Sequence, residues 1–298
     1  MPHERISRRR RNGAPASNAR EEPSIHIPSV RRLRRHLAQV SVDAAYATGI
    51  AEATARRLDA TVLKVAEIDF ELTARPYTAD GRGLECTDPD GARYLGFEAD
   101  SSGSYATFED TFRGTEEFIR EQLRPYVDLL AGHGPVLDLG CGRGELLALL
   151  REAGVDATGV DMDASMLDRA RAAGLDVVQG EALGHLAALP DASLGGVISI
   201  QVIEHLSVAD LRTLVAEAHR VLRPGGVLVA ETVNPHSPAA LKVFWLDLTH
   251  VRPLFPESLL LLAHELGFHR GRILFPGGTG DLDHDLRNRG AFALVAYR

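Results

Sequence analysis

The chain reads as an α/β protein built on an open, mainly parallel sheet, and four stretches carry that reading. Val136-Leu137-Asp138-Leu139 is a short apolar strand that runs into Gly140-Cys141-Gly142-Arg143-Gly144, and Glu145 to Glu152 (ELLALLRE) follows at once as an amphipathic helix. Thr158-Gly159-Val160-Asp161 is a second strand that ends in an acid, about 20 residues after the glycine loop. Val197 to Ile200 is a further apolar strand. Another, Val227-Leu228-Val229, is entered through the turn Val221-Leu222-Arg223-Pro224-Gly225-Gly226. A glycine turn between a strand and a helix N-terminus is where open α/β sheets bind nucleotide-like ligands, because the backbone approaches closely and the amides there are unpaired.

The spacing of the loop narrows the ligand. A dinucleotide-binding turn has its third glycine three residues after the second, where the helix packs on the strand; here that place is Glu145, and Gly144 comes one residue early. A phosphate-binding loop ends in Gly-Lys-Ser/Thr, which is missing, and a negative Glu145 at the helix start repels phosphate. A ligand carrying positive charge fits better.

The rest of the chain fits a globular protein with an N-terminal addition. Its 298 residues give ample length for a core, and 45% hydrophobic with 25% charged residues is ordinary. No apolar run approaches a membrane span, and the arginine-rich start lacks the apolar segment of a secretion signal. Cys86 and Cys141 make no disulfide framework, so a cytoplasmic location is expected. Residues 1–36 hold ten arginines and three acids, a net +7, which leaves −15 for the remainder and argues against a large nucleic-acid footprint. Residues 1–28 read as a disordered basic tail. From Ser29 to about Ile68, Val30, Leu33, Leu37 and Val40 recur at helical spacing, which Ala51, Ala55 and Leu58 resume, so a helix or helix pair is expected. Residues 71–100 scatter aromatic and aliphatic residues among glycines, as in a small hairpin; residues 29–104 thus form an extension that either covers a substrate or makes an oligomer contact. An amphipathic helix between Tyr105 and Leu130 opens the main domain, 105–298. Leu254 to Phe268 is a core helix started by Pro256 and stopped at Gly267, and Arg272 to Phe275 with Ala291 to Tyr297 form two terminal strands around a polar loop.

The run Val136 to Glu145, with the landmarks after it, resembles motif I and the following motifs of the class I S-adenosylmethionine (SAM) dependent methyltransferases, over roughly the last two thirds of the chain. That resemblance implies a Rossmann-like seven-stranded sheet of order 3-2-1-4-5-7-6, with SAM as cofactor. It implies that Asp138, Gly140, Cys141, Gly142 and Gly144 line the SAM loop and that Asp161, followed by Met162, holds the ribose hydroxyls. Glu181 and Ala182 stand where the family has an acid near the adenine amino group. Four segments, Phe112-Arg113-Gly114, Gly140 to Glu145, Gln201 to Leu206 and Thr249 to Leu254, resemble methyltransferases found with bacterial polysaccharide and glycosyltransferase functions. Arg113 is a candidate partner for the methionine carboxylate, with a surface arginine as the alternative.

The chemistry is expected in Gln201-Val202-Ile203-Glu204-His205-Leu206, which leaves the Val197 to Ile200 strand at the carboxyl edge of the sheet. If a helix begins there, Gln201, Glu204 and His205 share one face. The segment resembles the Glu-x-x-Glu-His element of ubiquinone O-methyltransferases and small-RNA 2′-O-methyltransferases, in which acids and histidines hold a divalent metal; here Gln201 replaces the first acid, and His250 stands at the place of a further histidine ligand. Two mechanisms follow. Either Gln201, Glu204, His205 and His250 hold Mg²⁺ or a similar ion that acidifies a substrate hydroxyl, or His205 or His250 acts as a metal-free general base. Glu231 to His236 is a candidate lining of an acceptor pocket, and Trp245 is a stacking surface or a packing residue. The resemblance implies an O-methyltransferase for a sugar hydroxyl in glycan or glycolipid assembly. A phenol or quinol acceptor and a catalytically silent SAM-binding scaffold stand as alternatives, while an RNA hydroxyl is disfavoured by the acidic body. The oligomeric state is left open.

Overall fold

The computed structural model describes residues 29–73, 85–87, 89–91, 93–95 and 116–298. The basic segment 1–28, most of the hairpin region, the Phe112-Arg113-Gly114 element and the expected boundaries after 28 and 104 lie outside the described residues or at their margin. The chain divides into two units, Met1–Ala66 and Glu67–Arg298.

In the first unit, helix α1 (Val30–Thr73) begins and runs unbroken for 44 residues, through Gly49, where the periodicity had left a helix pair open. Its apolar residues from Val30 to Val65 are all exposed.

In the second unit, β1 (Glu85–Thr87) and β2 (Arg93–Leu95) pair antiparallel, which is the described part of the expected hairpin. Helix α2 (Glu116–Leu130) precedes the main sheet. The sheet and its crossovers are β3 (Val136–Leu139), α3 (Glu145–Glu152), β4 (Ala157–Asp161), α4 (Ala164–Ala172), β5 (Val177–Gln179), α5 (Ala182–Ala188) and β6 (Leu194–Ile200). They continue through α6 (Val208–Val221), β7 (Leu222–Val233), α7 (Pro238–Phe244), α8 (Pro256–Glu265), β8 (Arg270–Leu274), α9 (Leu282–Asn288) and β9 (Ala291–Tyr297). The seven strands lie in the order β5-β4-β3-β6-β7-β9-β8, which counted within the sheet is the expected 3-2-1-4-5-7-6. Strands β3 to β7 are parallel, and β9 runs antiparallel between β7 and β8.

Burial on both faces explains the near-continuous apolar strands. Side chains alternate: Leu137 and Leu139 of β3 join Leu228 and Phe292 in one core with α6 and α8, while Val136 joins Ile198, Val227 and Val229 in the other with α2 and α3. The polar loop expected between the terminal strands contains α9, whose sequence LDHDLRN has too few apolar residues to show a helical stripe. It is held by polar contacts instead. Asp281 caps it through His284 N at 3.1 Å, and the buried Asp285 accepts from the Thr279 and Gly280 amides at 2.9 and 3.0 Å.

Gly159 in β4 fixes how closely the glycine loop lies on the sheet. A Cβ there would stand 2.5 Å from Cys141 Sγ and 2.6 Å from Leu147 Cδ1, below any normal contact. Gly159→Ala is expected to destabilise the fold by ~1–3 kcal/mol, since overpacking displaces both neighbours. Urea denaturation against the parent measures this, and an unchanged midpoint would refute the packing argument.

Candidate active site

The loop after β3 is built by backbone geometry. Gly140 has φ 74°, and a Cβ on it would stand 2.4 Å from Val202 Cγ2, so glycine is needed both for conformation and for the close approach of the segment that leaves β6. Gly140 N and Cys141 N both donate to Val160 O, at 2.8 and 3.2 Å, which ties the loop to β4. Asp161 at the end of β4 is half-buried and doubly anchored: its Oδ2 accepts from Gly142 N and its Oδ1 from Asp163 N, both at 2.8 Å. Asp163, not Asp161, caps α4, through Ser165 N at 2.8 Å. Met162 follows with 70% of its surface exposed, an apolar side chain presented next to a fixed carboxylate. Gly180 N donates to Asp161 O at 3.0 Å and brings the exposed Glu181 and half-buried Ala182 to the same edge.

These residues suit SAM: a fixed acid for ribose, an exposed methionine and an adjacent acid for adenine, and a glycine backbone for close approach. The Cys141 thiol is no nucleophile. Burial, then the charges of Asp138 and Asp161, raise its pKa far above the usual thiol range. Glu145 does not face the ligand as an unmatched charge, because Arg143 Nε lies 2.8 Å from its Oε1 and the pair is largely buried. Glu145 therefore does not repel phosphate as its place at the helix start implies, and the glycine spacing carries the distinction.

Gln201, Glu204 and His205 were expected on one helical face after β6; the structure instead groups Glu204 and His205 with His250 and leaves Gln201 out. The backbone forms a single 3₁₀ turn, Ile203–His205, and Gln201 precedes it with φ 55°. Its amide Nε2 donates to Glu231 Oε1 at 3.0 Å. Glu204, His205 and His250 instead each offer one ligand atom, and these atoms lie within 4.8 Å of one another. The two imidazoles are 4.6 Å apart, edge to face.

Hydrogen bonds fix the state of each ring. His250 Nδ1 lies 2.7 Å from Phe244 O, a pure acceptor, so Nδ1 carries a proton, and its Nε2 faces Asp247 Oδ2 at 3.7 Å. Thr249 Oγ1 donates to Asp247 Oδ1 at 2.6 Å and spends its one proton there, so His205 Nδ1, 2.9 Å away, donates to that oxygen. Burial and then the neighbouring His250 lower the His205 pKa, which keeps the ring neutral. Glu204 is fully buried, and only its own amide and the Thr232 hydroxyl approach its carboxyl, outside good hydrogen-bond geometry. Burial pushes its carboxyl up to about 8.

A second buried carboxylate stands behind this cluster. Glu231 at the end of β7 accepts from Gln201 and, through a very short bond, from the fully buried Tyr126 hydroxyl of α2. Burial and Glu231 together raise the Tyr126 pKa, so the phenol stays a donor. Glu231 thus holds Gln201 rather than lining open space. Asn234 is buried and donates to Leu286 O and Arg289 O at 2.8 and 2.9 Å, and His236 faces Glu257 at 3.1 Å, so both serve the fold. Trp245 is 61% exposed, at the C-terminal end of α7. Arg113 lies outside the described residues. Tyr126, Asp247 and Thr249 were missed: Tyr126 is more than 100 residues from its partner, whereas Asp247 and Thr249, three and one residues before His250, carried a local signal.

Comparison with known proteins agrees with this geometry. Residues 137–230 match the family model described as a methyltransferase domain. A SAM-dependent methyltransferase of known structure from Archaeoglobus fulgidus aligns with TM-score 0.60 and 30% identity over 65% of this chain and 99% of its own. The chain belongs to the class I SAM-dependent methyltransferases. A probable SAM-dependent methyltransferase from Mycolicibacterium smegmatis is 37% identical over 135 residues, 45% of this chain and 51% of its own length. A malonyl-[acyl-carrier protein] O-methyltransferase from Serratia marcescens is 34% identical over 146 residues, 44% of this chain and 54% of its own length. The chain therefore spans about half the length of the curated relatives it matches. Among the described residues of this methyltransferase, no helix is long and apolar enough to cross a membrane.

The state of Glu204 has a measurable consequence in metal-free protein. Its pKa is about 8 when folded against 4.5 for a free glutamate, so the folded chain keeps a proton that the unfolded chain releases between these values. Stability is therefore full below pH 4.5, falls as pH rises through this window and levels off above pH 8. Glu204→Gln is expected to remove that fall and to be more stable than the parent at pH 8, by on the order of a few kcal/mol. Urea denaturation of both proteins in a chelator at pH 5 and pH 8 checks the sign, and identical pH dependence would sink it.

Proposed function

We propose that this chain is an O-methyltransferase that moves the methyl group of SAM to a substrate hydroxyl, with Glu204, His205 and His250 as a divalent-cation site. The carrying observation is that a buried carboxylate and two imidazoles, each held through Nδ1, bring one ligand atom apiece to within 4.8 Å of one another. Bound SAM supplies a methyl group on a positively charged sulfur, a good leaving group. A bound divalent ion supplies charge that acidifies a hydroxyl.

The chain's own residues do the rest. Asp161, anchored by two backbone amides, holds the ribose end, and Met162 and Ala182 flank the base. Phe244 O and Thr249 hold His250 and His205 through Nδ1 in one orientation, so Nε2 is the atom each ring turns to a metal or a proton, with Asp247 beside that of His250. Gln201, gripped by Glu231, leaves its carbonyl oxygen to orient a donor at the mouth of the site. A metal is favoured over a lone general base by Glu204, because a buried carboxyl held protonated by its burial gives up that proton readily to a cation bound beside it. We further propose a sugar hydroxyl as acceptor. The exposed Trp245 face, five residues before His250, suits stacking on a sugar ring.

Two tests follow. Asp161→Ala is expected to weaken SAM binding by about ten- to a hundredfold, the worth of hydrogen bonds to a charged acceptor, as measured by calorimetry. Unchanged affinity would remove Asp161 from the site. Release of S-adenosylhomocysteine, followed over sugars, lipid-linked oligosaccharides, catechols and RNA, is expected with the sugar acceptors. Chelation and His250→Ala are each expected to lower that rate by at least about a hundredfold, within the range one catalytic group supplies. Full activity in a chelator would reject the ion and leave a histidine base, while SAM binding without turnover of any acceptor would favour the scaffold.

A further inference from the structure

We propose that α1 pairs with α1 of a second copy of this chain as an antiparallel two-stranded coiled coil. From Val30, alternating steps of three and four residues pick out V-L-L-V-A-A-A-T-L-T-V-I-L, ending at Leu72. Every Arg, Lys, Asp and Glu of the helix falls elsewhere in the heptad. A stripe with a strict 3.5-residue repeat over this length is the pattern of a supercoiled seam, because a helix lying on a globular core drifts with a 3.6-residue period and needs a wider stripe. The described part of the stripe is open to solvent, with Leu33, Leu37 and Leu58 exposed by 52%, 60% and 61%. An apolar seam about 60 Å long, at 1.5 Å per residue over positions 33–72, calls for a partner of equal length.

The charges select that partner and its direction. The first turns of α1 carry Arg31, Arg32, Arg34 and Arg35, and its last turns carry Glu67, Asp69 and Glu71, so each end complements the other end of a second copy. Place Leu33 opposite Leu72 of the second copy, so that every a position faces a d position. Three flanking pairs then join opposite charges: position 34 (Arg) with 69 (Asp), 36 (His, when protonated) with 71 (Glu), and 43 (Asp) with 64 (Lys). The two-fold axis doubles each of them, and no like charges meet. The same register sets Ala44, Ala47 and Ala51 against Thr61, Leu58 and Thr54 of the second copy, so small residues oppose larger ones along the seam. A parallel, in-register pair has one complementary flanking contact, 64 with 69, and brings eight arginines together at one end.

Sedimentation of the full chain at micromolar concentration is expected to show a dimer, and Leu37→Glu, which puts charge in the seam, a monomer. Lys64→Glu sets a like charge against Asp43 of the second copy and is expected to weaken the dimer by about tenfold at low salt, since surface pairs are individually modest and the symmetry counts each twice. Adding Asp43→Lys restores opposite charges only in the antiparallel arrangement. Recovery of the parental dissociation constant in the double variant supports the proposal. A parental chain that sediments as a monomer overturns it, and so does a double variant no tighter than Lys64→Glu alone.

Discussion

Strands β3 and β6 lie side by side in the sheet although 54 residues separate the end of one from the start of the other, and the site follows from that neighbourhood. The chain leaves β3 to wind in one direction and leaves β6 to wind in the other, so the two exits diverge and open a crevice at the carboxyl edge. The exits also touch. Val202 fills the space a Cβ on Gly140 would need, which places the cofactor loop and the catalytic turn in van der Waals contact. Neither can shift without the other, and the register of β3 with β6, fixed by Leu137 against Val197 and Leu139 against Ser199, sets both.

Inside that crevice, two carboxylates are buried in different ways. Glu231 is satisfied by Tyr126 and Gln201 and acts as a rigid acceptor, while Glu204 has only its own amide and the Thr232 hydroxyl near it, in poor geometry. A satisfied carboxylate organises its neighbours, whereas a poorly satisfied one keeps a raised pKa. Val251 N donates to Glu204 O at 2.9 Å, so the backbone that carries Glu204 also anchors the loop of His250. The cluster is drawn together by main chain as well as by its side chains.

The glycine loop, the acid at the end of β4 and the residues of the histidine cluster were legible because each is written in a short local segment: Gly140 to Gly144, Asp161, Glu204-His205, and His250 in its own segment; the sheet order came from the family resemblance. What escaped needed three-dimensional information. Nothing local marks Tyr126 as the donor to Glu231, and the helical face drawn through Gln201 failed because a left-handed residue and a 3₁₀ turn replace the regular helix that the i, i+3, i+4 rule assumes. Helix α9 escaped for the opposite reason, since capping and the buried Asp285 stabilise it in place of an apolar stripe.

Strand ends are held by the sheet and vary little in direction. The segment from Trp245 to Val251 is different: Trp245, Leu248 and Val251 are 61%, 96% and 52% exposed, while Phe244 and Asp247 are buried beneath them. The buried pair holds His250 through the Phe244 carbonyl and the Asp247 carboxylate, and the exposed residues make almost no contribution to that hold. Because the two sets alternate along one short loop, the outward side chains can change with little strain on the ligating ring. A single loop thereby carries a fixed imidazole on its buried side and an adaptable surface on its exposed side.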